Sequence, residues 1–331
     1  DVLGSRGLGD VYKRQVQMLS RRLLRIKVLK ALYAHFKSES DSLISSEKNL
    51  MFSIDKTYEL YHQLLWLIVD VATLAENRIE LGRKKHLPTE EERNPNTKFI
   101  ENRVVALLRG SENLTDYLAA HKLGWIQYPE LIKTLYNSMI SSDYYKEYMA
   151  SPTRSFKEDR KFVESFYTLT VDSCVELENV VEEQSIFWSD DLDFANIMVI
   201  RTISNMKASQ TEVELLPQYK NEDDREYVKE LFRHAVVHYN EYYEYIGRFT
   251  KNWDVDRIAF MDNLIMVTTM SELIAFPSIP VKVTFDEFIE IAKYYSTPSS
   301  STFINGVLDK VVEALHEEGK IAKSGRGLLE K

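Results

Sequence analysis

Residues 20–37 read SRRLLRIKVLKALYAHFK, and the spacing of their apolar side chains decides the fold class. Leu24, Val28, Ala31, Leu32 and Phe36 recur every three or four positions, the repeat of one helix face. Arg22, Arg25, Lys30, Tyr33 and Lys37 fall largely off that stripe. In the rest of the chain, Leu, Glu, Lys, Ala and Ile dominate long stretches that only 11 Gly and 8 Pro interrupt in 331 residues, which favours helices over strands and turns. With 44% apolar residues the chain has ample material for a packed core, and it reads as all-α.

A polar stretch, Ser38 to Ser46, ends the first helix, and a second is expected from Glu47 to Leu81, stopped by Gly82. Arg83 to Asn96 is charged, contains two prolines and lacks apolar periodicity, so it reads as an exposed linker. Five or six helices are expected between Thr97 and Leu216, separated at Gly110, Gly124, Ser141 to Asp143 and Ser151-Pro152. Near the end, Pro280 leads to Thr284-Phe-Asp-Glu287, a capping-box pattern that predicts a helix over 285–295. A loop from Thr297 to Ser301 precedes a closing helix, Phe303 to Glu318, ended by Gly319.

A gapless shift of 65 positions superposes two segments. Asp159, Arg160, Val163, Val171, Glu176, Trp188, Asp191 and Ile200 meet Asp224, Arg225, Val228, Val236, Glu241, Trp253, Asp256 and Ile265, and Phe162 meets Tyr227. The match suggests duplication of a two-helix unit.

The formal net charge of −9 argues against a protein coated in nucleic acid. Local distribution differs: between Met18 and Ser38 there are six basic residues, Arg21, Arg22, Arg25, Lys27, Lys30 and Lys37, and no acidic one. One basic helix on an acidic body can be a nucleic-acid footprint. The single cysteine, Cys174, cannot form an intrachain disulfide, and the apolar run from Leu64 to Val69 is broken by Asp70, so a cytoplasmic protein without a membrane span is expected. Ser5 to Gln15 (SRGLGDVYKRQ) resembles an in-frame translation of a sequencing adapter, and residues 1–17 are set aside as a non-native leader.

Arg21-Arg22-Leu-Leu-Arg25 followed by Lys30-Ala-Leu-Tyr33 resembles the arginine-rich first helix of NusB-family transcription antitermination factors. Downstream, Trp253-Asp-Val-Asp256-Arg257-Ile258, Asp262, Glu272-Leu273, Pro280-Val-Lys282-Val283 and Phe303-Ile-Asn305-Gly306-Val-Leu-Asp309-Lys310 follow in the family's order. The resemblance covers Met18 to Leu81 loosely and Asp224 to Glu318 well. It implies NusB-like helical bundles with an additional inserted helical region: 18–82 and 224–319 as family-like parts, 83–223 as an insertion containing the duplicated unit at 159–207, and 320–331 as a tail. It also implies a basic face for the single-stranded boxA element of ribosomal RNA transcripts, the NusE ribosomal protein as partner, and an RNA polymerase antitermination complex.

On that reading Arg21, Arg22, Arg25 and Lys30 contact RNA, because guanidinium groups offer fixed donors that keep their charge. Tyr33 either stacks on an unpaired base or packs at the edge of the core. Ser299 and Thr302 border the same site, in a loop where relatives carry an acid and a lysine that are replaced here by hydroxyls, and Phe303 either borders it or is a core residue at a helix start. Asp256, Lys282 and Asp286 are expected at the partner contact, although the favour that a helix N-terminus shows to acids accounts for the aspartates equally well. Gly306 is expected to allow close helix packing. Neither a Walker loop, a GxSxG elbow nor a dinucleotide glycine pattern occurs, and His234 and His238 lack an intervening catalytic Glu. An adaptor that is not an enzyme and has no cofactor or metal is therefore expected, the alternative being a helical protein-interaction scaffold without RNA binding.

Overall fold

The computed structural model describes residues 19–38, 42–250, 258–297 and 300–328, so the leader 1–17, Trp253, Asp256 and Ser299 lie outside it. Among the described residues every regular element is a helix. They are α1 (Arg21–Lys37), α2 (Leu43–Arg83), α3 (Glu90–Arg93), α4 (Arg103–Gly110), α5 (Glu112–His121), α6 (Pro129–Ser141), α7 (Asp143–Ala150), α8 (Phe156–Ser165), α9 (Val175–Gln184) and α10 (Leu192–Asn205). After these come α11 (Glu222–Val237), α12 (Tyr239–Gly247), α13 (Phe260–Ala275), α14 (Val281–Tyr295) and α15 (Ser300–Glu317). None is long and apolar enough to cross a membrane. The chain divides into two compact units: unit one is Asp55–Gln218, and unit two is Leu19–Ile54 with Tyr219–Lys331.

In unit two, α1 starts where the Ser20 hydroxyl oxygen accepts the Leu23 N–H at 3.1 Å, supplying one of the amides that a helix start leaves unpaired. Leu24, Val28 and Leu32 are fully buried, as the stripe requires, and α1 packs on α11 and α13. Every side chain of α13 from Asp262 to Leu273 is buried, the condition of a central helix. The Thr268, Thr269 and Ser271 hydroxyls donate to the carbonyls four residues back at 2.7, 2.7 and 2.9 Å, so they enter the core with their hydrogen bonds made. The tail continues the fold: Lys323 Nζ donates to the Leu273 and Phe276 carbonyls at 2.9 and 3.1 Å, capping the end of α13. Gly327 runs so close to the Pro277 carbonyl that any Cβ there would overlap it.

Unit one is organised on the second part of α2, whose carbonyls accept from three aromatic donors as well as from their own helix. Trp188 Nε1 donates to Lys56 O at 2.6 Å, Trp125 Nε1 to Gln63 O at 2.8 Å and the Tyr167 hydroxyl to Leu64 O at 2.7 Å. Tyr167 stands in a π-helical turn, Phe166–Val171, that continues α8. Helix breaks fall at Ser111, at Lys122 in the left-handed conformation, at Ser142 and at Ser151, close to the punctuation expected from Gly110, Gly124, 141–143 and 151–152.

Several expectations are corrected. Between 97 and 216 there are seven α-helices, α4 to α10, because 172–174 and 185–191 interrupt the chain without glycine or proline. The stretch 83–96 contains α3, held by a true capping box in which Thr89 Oγ1 accepts the Glu92 N–H and the Thr89 N–H donates to Glu92. Thr284 and Glu287 form none: α14 already begins at Val281, behind Pro280, and both residues lie within it. Gly306 has open space where a Cβ would stand, so it serves no close packing. Apart from these corrections, the compact units divide at 54/55 and 218/219, a division by packing that differs from the family-like parts and insertion expected at 82/83 and 223/224. A helix carries no turn residue at the point where its packing partners change.

Candidate nucleic-acid interface

The arginines of α1 are all placed against carboxylates of unit two. Arg21 Nε donates to Asp224 Oδ1 at 2.8 Å, with its guanidinium 5.0 Å from the centre of the Tyr227 ring. Arg22 makes a two-pronged pair with Glu287, Nε to Oε2 at 2.7 Å and Nη2 to Oε1 at 2.8 Å. Arg25 makes the same fork with Glu272 at 2.7 and 2.8 Å, and this pair is buried. Glu272 also accepts from Thr284 Oγ1 at 2.8 Å and from the Tyr227 hydroxyl, so its two oxygens receive four donors, about the capacity of a carboxylate. Burial opposes ionisation of Glu272, but the Arg25 guanidinium and the two hydroxyls outweigh it and hold its carboxyl below the usual range. Burial drives the Tyr227 phenol the other way, well up, which keeps it a donor.

Arg25 is therefore removed from the face that RNA could reach, a correction whose cause is local. Residue 25 sits among the buried positions Leu24, Val28 and Leu29, where an unpaired charge would be untenable and a fully bonded one is tolerated. Thr284 and Glu287, spaced three apart, share one face of α14, Thr284 meeting Glu272 of α13 and Glu287 meeting Arg22 of α1. The same spacing that reads as a capping box gives this network one donor, the Thr284 hydroxyl, and one acceptor, the Glu287 carboxylate.

The outward face of α1 is different. Lys30, Tyr33 and Lys37 follow at three- and four-residue steps and line one side of the helix. Lys30 Nζ stands 5.5 Å from the Tyr295 ring, Lys37 Nζ stands 4.4 Å from the Phe260 ring, and Tyr33, 41% exposed, meets Phe260 edge-on at 5.5 Å. Tyr294 is also exposed. The face combines cations held over rings with ring surface open to solvent. Lys37 belongs to the basic run but was not assigned to the site, and Phe260 and Tyr295 were not among the residues expected here. The Tyr294-Tyr295 pair was the available signal, lost because nothing in the sequence places the end of α14 beside α1.

Of the other expected site residues, Thr302 is exposed and Phe303 half-buried at the start of α15. Ser300 is buried with its hydroxyl 2.6 Å from that of Thr297. Lys282 and Asp286 are exposed one turn apart on α14, beside Val283, which is 45% exposed. The His234 and His238 rings lie 4.4 Å apart, and no group of three metal-ligating side chains occurs among the described residues.

The model of the NusB family matches residues 195–313, beginning inside the segment 83–223 that sequence reading treats as an insertion. The transcription antitermination protein NusB of Salinibacter ruber is 40% identical over 114 residues, which are 34% of this chain and 71% of that protein. That of Natranaerobius thermophilus is 33% identical over 107 residues, 31% of this chain and 77% of the relative. That of Chloroherpeton thalassium is 32% identical over 106 residues, 32% of this chain and 50% of the relative. No solved structure matches the chain. Its helical fold and a match spanning more than two thirds of the Salinibacter and Natranaerobius proteins together establish that the chain belongs to the NusB family.

Proposed function

We propose that the chain is a cytoplasmic antitermination factor that binds boxA-like single-stranded RNA of ribosomal RNA transcripts through unit two. It does so together with the NusE ribosomal protein, in an RNA polymerase antitermination complex. The observation that carries the RNA reading is the outward face of α1, where Lys30, Tyr33 and Lys37 align with Phe260 and Tyr295. Lysine ammonium groups suit phosphates and open aromatic rings suit unpaired bases, the two contacts that single strands offer. Arg21, 40% exposed and tied to one carboxylate only through Nε, extends the face toward the helix start. Arg22 is committed to Glu287 on both prongs. Thr302, exposed at the start of α15, and Ser299, outside the described residues, are further candidates for RNA contact. Lys282 and Asp286, with Asp256, supply the NusE contact.

A second reading, a scaffold that has lost RNA binding, is favoured by one observation: all three arginines of α1 face acids. Fluorescence anisotropy with a boxA-like RNA across a salt series separates the two. The RNA reading expects salt-dependent binding, tightened by NusE, whose log–log salt slope falls by about one unit for each of Lys30→Ala and Lys37→Ala. An affinity indifferent to both substitutions would select the scaffold.

A further inference from the structure

We propose that unit one is a second, divergent copy of the bundle in unit two, one that has kept its helix clasp and lost its RNA-reading face, so that the chain carries one RNA site and not two. The single-site part rests on the function proposed above; the duplication stands on geometry. In unit two the clasp joins the first residue of a capped helix, Arg21 after Ser20, to a buried aspartate in the first turn of α11, Asp224. Unit one repeats it. Arg103, first residue of α4 after the cap Asn102, donates through Nε to Asp159 in the first turn of α8 at 3.1 Å. Asp159 and Asp224 are the residues that the 65-position shift superposes. The shift says nothing about the arginines, which lie 56 residues before one aspartate and 203 before the other. Chance similarity between two amphipathic helices would not supply the same partner from a third helix.

Burial follows the same register. Phe162 and Tyr227 are both 3% exposed, and Val163 with Val228, Phe166 with Leu231 and Tyr167 with Phe232 are completely enclosed. In both units the arginine-bearing helix packs on the aspartate-bearing one, and that in turn on the next long helix, α10 or α13.

What differs is the charge network, and it differs as a whole. With Arg21 set on Arg103, the positions of Arg22 and Arg25 hold Val104 and Leu107; with the 65-position shift, Tyr227 corresponds to Phe162 and Glu272 to Lys207. Losing Arg25 alone would strand Glu272, and losing Glu272 alone would strand Arg25, so a buried pair of this kind disappears together or not at all. In unit one the contacts are instead those of Tyr148, which stacks on Phe162 at 4.3 Å and donates its hydroxyl to Asp159 at 2.7 Å. Helix α4 also ends at Gly110, before any counterpart of the Lys30, Tyr33 and Lys37 face could form.

The test uses the full chain, Arg21→Ala, Arg103→Ala, hydrogen exchange and ultraviolet crosslinking to a boxA-like RNA. Arg103→Ala should speed exchange in α4 and the first turn of α8, Arg21→Ala in α1 and the first turn of α11. All crosslinks should map to unit two at one RNA per chain, and Arg103→Ala should leave RNA affinity within about twofold. Crosslinks in unit one or two RNAs per chain would overturn the single site. Exchange in α4 and α8 unmoved by Arg103→Ala would overturn the clasp and with it the duplication. If no RNA binds at all, the function proposed above fails together with the single site, and the exchange result alone decides the duplication.

Discussion

Arg25 and Glu272 illustrate how little a residue's type says about its task once it is buried. An arginine in a basic run invites a contact with phosphate, yet this one is enclosed with every prong of its fork engaged, and its removal should act on stability and not on a ligand. Glu272→Gln leaves the buried guanidinium only the looser contact of its Nη1 with Glu287 at 3.6 Å and should destabilise unit two by about 3 kcal/mol, while Arg25→Met combined with Glu272→Leu should recover most of the loss. Exchange-derived stabilities of α13 would show it; equal losses in the single and double variants would contradict the pair. In unit one, His62 is fully buried, its Nδ1 2.7 Å from the Tyr58 carbonyl and its ring stacked on Tyr117 at 3.7 Å. Burial lowers its pKa to about 4, helped by the neighbouring His121, against an unfolded value near 6.5. The folded state therefore resists the proton that the unfolded chain accepts. This contribution is complete above pH 6.5 and is lost as pH falls toward 4, by up to about 3 kcal/mol. His62→Gln should flatten that part of the unit's pH–stability profile, and an unchanged slope between pH 6.5 and 4 would refute the assignment.

At the scale of elements, α1 carries two surfaces with different duties. Its inner stripe was legible in the sequence because leucine and valine repeating every 3.6 residues mark a helix buried along one side, and a strand would need them at every second position. Its outer face was legible in part: the basic count included Lys30 and Lys37, and Tyr33 stood out as an aromatic beside them, but the rings that complete the surface come from α13 and α14, more than 200 positions away in the chain. Tyr33→Ala should weaken binding of a boxA-like RNA by about 1–3 kcal/mol, the range of a base stacked on an aromatic ring, and Tyr33→Phe should restore it. Were Tyr33 only an edge of the core, Tyr33→Ala would lower the melting temperature and leave affinity intact. The pattern Thr-x-x-Glu shows the opposite limit. At Thr89 it caps a helix and at Thr284 it lies inside one, because three-residue spacing puts two side chains on one side of a turn whether that turn is the first or the second.

For the molecule as a whole, the division into units determines what can be removed. A shortened chain that joins residue 54 to 219 through a flexible Gly–Ser linker keeps all of unit two. It should remain monodisperse in size-exclusion chromatography and bind the same RNA. Joining residue 81 to 221 retains the second part of α2 without its partners, uncovering Leu60, Leu64, Leu65, Leu67 and Ile68, each enclosed in the intact chain. At about 2 kcal/mol of lost burial per side chain, that version should aggregate. A soluble, RNA-binding product from the second junction and an insoluble one from the first would place the boundary back at residue 82.

The helical class, the extent of α1, the ends of the closing helices though not their starts, and the family itself could be read from the chain alone, since periodicity and ordered motifs are local and survive without knowledge of contacts. Which of the arginines is buried, which rings meet the lysines, and where one unit ends and the next begins are settled only by packing. Each of those depends on pairing between residues far apart in the chain. The shared aspartate of the 65-residue repeat could be read in one dimension; the arginine that clasps it in both units could be found only in three.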